Sequence, residues 1–152
     1  MAVLKGYIEA SGLSRLYQHL SNYHCATISA CRGYTMDAYI KFRDELDKGK
    51  ELQNIPEAKA YKLTASQNKV RHKDLGNRLH RDPKFTGITQ INGVFQEKGS
   101  DEPSLEVSYI VFCDDYNYLW DNITALGTLY EQDSVCVVEQ GAKSGAEVKT
   151  SP

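Results

Sequence analysis

Two stretches decide the fold, FTGITQINGVFQE (85–97) and SLEVSYIVFC (104–113), joined by the short polar loop KGSDEP (98–103). In the second, Val107, Tyr109 and Val111 fall on one side and Glu106 and Ser108 on the other, the period-2 pattern of a half-buried strand. β-branched and aromatic residues dominate it, and these fit a pleated surface. The first stretch reads as a strand too, with Gly93 as a bulge or a point of close approach. Together they predict a hairpin.

Working outward, Thr64 caps a helix over 65–81, ASQNKVRHKDLGNRLHR, which Asp82-Pro83 breaks. Gly76 in its middle costs about 1 kcal/mol relative to alanine, so docking rather than propensity must hold the helix. CATISACR (25–32) predicts a first strand ending at Arg32-Gly33, and Ser11 caps an N-terminal helix ending near Asn22. Residues 34–63 read as an insertion, helical at first with Met36, Tyr39, Ile40 and Leu46 turned inward, then irregular. Downstream, Leu119, Ile123, Leu126 and Tyr130 form one stripe of a helix over 116–130, with Trp120 beside it. SVCVVE (134–139) is a buried strand, and 141–152 is a tail or an edge strand. The order β-α-β-β-α-β predicts an α+β domain spanning 1–152: an antiparallel sheet with helices on one face, in the split ferredoxin-like arrangement, plus an extra N-terminal helix.

Composition narrows the function. Hydrophobic residues at 41% and charged residues at 25% exclude a disordered chain. A net charge of -2 supplies no field that would draw the molecule to nucleic acid, which is not expected as a partner. The start, MAVLKGYIEASG, is interrupted by Lys5 and Glu9, and no window of about 18 apolar residues follows, so no membrane association and a cytoplasmic location are expected. Cys25, Cys31, Cys113 and Cys136 form no CxxC pair, and His19, His24, His72 and His80 lack ligand spacing. No metal and no cofactor are assigned. P-loop, dinucleotide-binding and serine-hydrolase signatures are absent.

Charge is unevenly placed. Residues 64–84 carry six cationic side chains against two carboxylates, while 97–133 carry nine carboxylates against one lysine. Asn68, Arg71, Leu75 and Arg78 share one helical face, where an amide and two guanidiniums suit forked binding of phosphate or carboxylate oxygens. Glu106, inside an apolar strand, calls for a partner, with Arg32, Arg71 and Arg78 the candidates. If that pairing leaves room for a ligand, the candidate ligand-binding residues are Ser29, Arg32, Asn68, Arg71, Arg78, Glu106 and Ser108. Cys31 beside Arg32 is either an activated thiol or a buried strand cysteine.

The run Ser29-Ala30-Cys31-Arg32, Asn68 with Arg71 and Leu75, Gly93 with Glu97, Glu106 with Ser108, and Gln132-Asp133-Ser134 together resemble domain-of-unknown-function family 3293, short proteins of bacteria and their phages. Where that family has Asn-Pro after its first strand, this chain has Cys-Arg-Gly-Tyr. The resemblance implies a choice of residues rather than a reaction.

Three functions are expected, in this order. The first is a binding protein for an anionic small molecule such as a nucleotide, acting by sequestering a host signal or inhibiting a host factor. The second is an inhibitor that meets a host protein through the acidic 97–133 surface. The third is a metal-independent enzyme using Glu106, or Glu97, with Arg71 and Arg78. Catalysis stands last, so the chain is expected not to be an enzyme. The oligomeric state is left open.

Overall fold

The computed structural model describes residues 19–95, 104–142 and 145–150. The N-cap of the predicted N-terminal helix, Glu97 and the loop 98–103 lie outside them; residues 19–22 close a helical turn. Strands β1 (His24–Ile28), β2 (Phe85–Phe95), β3 (Ser104–Cys113), β4 (Ser134–Val138) and β5 (Ala146–Lys149) form one sheet, ordered β2-β3-β1-β4-β5 with every neighbour antiparallel. Helix α3 (Ala65–Arg81) connects β1 to β2, and α4 (Tyr116–Leu129) connects β3 to β4. Each crossover skips one strand, which is the split arrangement the sequence predicts, with β5 added beyond β4.

Both helices lie on one face of the sheet. Leu75 and Leu79 of α3 and Leu119 and Ile123 of α4 pack on Ala26, Ile28, Tyr109, Val111, Val135 and Val137, all buried. Each leucine so buried stabilises the fold by roughly 1.5–3 kcal/mol, which offsets the poor helix propensity of α3. Its start is a capping box: Thr64 Oγ1 accepts from the Gln67 N–H, and the Gln67 side chain accepts from the Thr64 N–H. Gly76 faces Tyr109 so closely that a Cβ there would sit 2.3 Å from the phenol oxygen. That closeness lets Tyr109 donate to the His72 carbonyl at 3.1 Å while its ring stacks on His72 at 4.3 Å. On the other face Cys25 and Phe112 are buried with Tyr23, Ile110 and Val138, and the His19 ring lies 5.0 Å from Phe112.

Three local expectations are corrected. Strand β1 stops at Ile28 rather than Arg32, because side chains take over its last carbonyls, as described below. No bulge forms at Gly93, which pairs in regular register with Glu106; the irregularity lies at the start of β2, between Phe85 and Gly87. Within 34–63 the inward positions are rotated: helices α1 (Met36–Lys41) and α2 (Arg43–Asp47), followed by 3-10 turns at Leu52–Asn54 and Pro56–Tyr61, bury Ala38, Phe42, Leu52, Ile55 and Ala58. Tyr39 and Ile40 stay 37% and 70% exposed, whereas Leu46 packs against the cluster. The segment closes on itself through a Tyr34–Lys62 bridge and the Leu63 N–H to Gly33 carbonyl bond.

Candidate functional site

The polar residues gather where β1 leaves the sheet. Ser29 Oγ donates to the Val107 carbonyl at 2.9 Å and accepts from the Cys31 N–H, which ends the ladder. The next three carbonyls would then be orphaned, at a cost of about 1–3 kcal/mol each if buried. Each receives a side-chain donor from another element. Arg71 Nε donates to Ala30 O at 2.7 Å, Gln132 Nε2 to Cys31 O at 3.2 Å, and Asn68 Nδ2 to Arg32 O at 2.9 Å. Asn68 Oδ1 also accepts from the Arg32 N–H, so its amide reads the backbone like a paired strand. Arg71 and Gln132 both reach on to the Tyr130 carbonyl.

The geometry of that last turn was hidden from sequence patterning. After α4, Glu131 adopts a left-handed conformation, φ 57°, rare for a residue with a Cβ. The turn sends the buried Gln132 side chain inward and leaves the adjacent Asp133 on the surface. Gln132 therefore joins the cluster although no spacing rule selects it.

Arg32 occupies the outer side. Its side chain is only 7% exposed; Nε donates to Tyr34 O at 3.0 Å, and Nη1 lies 3.6 Å from the Asp133 carboxylate, itself 84% exposed. The guanidinium carbon sits 5.1 Å from the centre of the Tyr39 ring. Helix α1 and the turn after α4 thus meet on one cation.

Ser29, Arg32, Asn68 and Arg71 are brought together in this way. Arg78 is not: it lies exposed on α3, paired with Asp74 at 3.3 Å, and Asp74 in turn accepts from the Tyr130 hydroxyl. Tyr109 packs under α3, so strand alternation puts Glu106 and Ser108 on the sheet face away from that helix. Glu106 still lies within electrostatic reach of Cys31. Burial raises the Cys31 thiol above its ordinary pKa; hydrogen bonding to Ser29 and Val107 and the Arg71 charge pull it back, and Glu106 pushes it up. The thiol is held neutral, against the activated-thiol reading.

Among the described residues no group of three or more His, Cys, Asp or Glu could hold a metal ion, and no helix is long and apolar enough to cross a membrane. No curated protein and no solved structure matches the chain. A family model does, described as the S-adenosylmethionine lyase family, over residues 58–151. That match takes in Asn68, Arg71, Glu106 and Gln132, and it is not to domain-of-unknown-function family 3293. It overturns two expectations, the sequestering or inhibitory protein and the absence of catalysis, because a lyase family is a family of enzymes. By this match over most of its length, the chain belongs to the S-adenosylmethionine lyase family.

Proposed function

We propose that the chain cleaves S-adenosylmethionine without water or a second substrate, at the polar cluster where β1 ends, with Glu106 on its flank. The observation that carries this reading is the family match, whose span contains Glu106 and three of the side chains that hold the end of β1. The substrate differs from the anion expected from the basic helix. Its sulfonium and ammonium are both cationic, and they outweigh its one carboxylate.

A cleavage that consumes nothing else can be balanced within the substrate. The sulfonium sulfur takes the electron pair of its bond to Cγ and leaves as the neutral thioether methylthioadenosine. The substrate's own carboxylate oxygen forms the new bond to Cγ, closing a five-membered lactone that keeps the ammonium. No proton moves. Opposite charges disappear as the bonds exchange, so a drier site speeds the step by stripping water from the carboxylate. In this reading Glu106 attracts the ammonium and sulfonium, and folds the aminoalkyl arm toward closure. Arg71, Asn68 and Gln132 hold the three carbonyls of 30–32 in place and keep the backbone beside the substrate rigid.

Incubation of the purified chain with S-adenosylmethionine in ¹⁸O-water, followed by mass spectrometry, tests the reading. Methylthioadenosine and an unlabelled amino-lactone are expected, and Glu106→Gln should slow their appearance on the order of a hundredfold with the circular dichroism unchanged. Persistence of the substrate, or product carrying ¹⁸O from the first turnover, would overturn it.

A further inference from the structure

The insertion 34–63 begins outside the matched segment and leaves an aromatic side chain on the surface beside the site. Tyr39 is 37% exposed, and the guanidinium of Arg32 lies against its ring at 5.1 Å. That guanidinium does not wander: its backbone is paired with Asn68, its Nε is spent on Tyr34 O, and its side chain is 7% exposed. On the same cation sits Asp133, 3.6 Å from Nη1 and 84% exposed. An aromatic ring lying against a buried cation, next to an exposed carboxylate 3.6 Å from the same cation, matches a nucleoside. The ring offers a face for a purine, and the carboxylate offers acceptors for vicinal hydroxyls.

We propose that Tyr39, lying against Arg32, is the platform on which the adenine of the substrate stacks, and that Asp133 accepts the ribose hydroxyls. This rests on the cleavage reading for the identity of the substrate, but the subsite is defined by its own chemistry. It assigns the insertion a role in selecting adenosyl sulfonium compounds over simpler ones, while Glu106 attends the charged arm. The link runs through Arg32, whose main chain follows Cys31 directly.

Two measurements separate this subsite from the cleavage. Adenosine binding is titrated by calorimetry, with no turnover involved, and S-adenosylmethionine turnover is followed in parallel. Tyr39→Ala should weaken adenosine on the order of tenfold and raise KM by a similar factor with kcat little changed, and Tyr39→Phe should restore both. Asp133→Asn should weaken adenosine while leaving adenine as it was. Equal adenosine affinity in parent and Tyr39→Ala would overturn the subsite even if the parent turns over substrate. Tyr39-dependent adenosine binding by a chain that leaves S-adenosylmethionine intact would keep the subsite and sink the cleavage reading.

Discussion

Gly76→Ala places opposed effects at one atom. Alanine in a helix interior is worth up to about 1 kcal/mol over glycine. Here the added methyl would lie 2.3 Å from Tyr109 Oη and 3.0 Å from its Cζ. The phenol cannot swing away freely, because the ring is buried, stacked parallel to His72 and bonded to the His72 carbonyl. Overpacking of this kind costs about 1–3 kcal/mol, and pushing the hydroxyl off its acceptor costs roughly 1–3 kcal/mol more. The clash wins, for a net loss of about 1–5 kcal/mol. In a chain of this size a loss near the middle of that range, about 3 kcal/mol, lowers Tm by roughly 6–12 °C. Urea unfolding of a double-mutant cycle with Tyr109→Phe isolates the contact. Without the hydroxyl, Gly76→Ala should cost under about 1 kcal/mol or stabilise. An equal cost in both backgrounds, or a gain in the parent, would refute the close-approach argument.

Three further outcomes follow from the same structure. Thr64→Ala removes half of the capping box and should cost about 1 kcal/mol by urea midpoint, with Gln67→Ala smaller; no change would mean the box is not formed in solution. Arg71→Lys keeps the charge but loses the fork that reaches Ala30 O and Tyr130 O together, so a loss of about 2 kcal/mol is expected despite the conservative exchange; full stability in the lysine variant would show that a point charge suffices. At alkaline pH, burial, with Cys136 nearby, pushes Cys25 up to about 11, and burial with the Asp74 bond pushes Tyr130 up to about 12, from ordinary values of 9.0 and 10.0. The native state then holds protons the unfolded chain has released, so this part of the stability is complete below about pH 9 and is lost as pH rises toward 12. Urea midpoints that stay flat from pH 9 to 11.5 would contradict it.

The sheet was legible because period and punctuation agreed. Alternation at 104–113, the Thr64 start and the Asp82-Pro83 stop are local properties of the chain, and their elements appear with matching bounds. The site was legible only in part. Ser29, Arg32, Asn68 and Arg71 stood out as polar groups at strand and helix positions, and they do converge, but on backbone carbonyls. Spacing on α3 also selected Arg78, which the fold turns toward Asp74 instead.

Residue order alone thus settled the helices Ala65–Arg81 and Tyr116–Leu129 and the hairpin strands Phe85–Phe95 and Ser104–Cys113, since those depend on neighbours a few positions away. Three-dimensional packing decided the rest. It ended β1 at Ile28, turned Tyr39 outward and, through the left-handed Glu131, brought Gln132 under the end of the first strand. These depend on which orphaned carbonyl a donor from a distant segment can reach, and that is set by tertiary geometry rather than by local pattern.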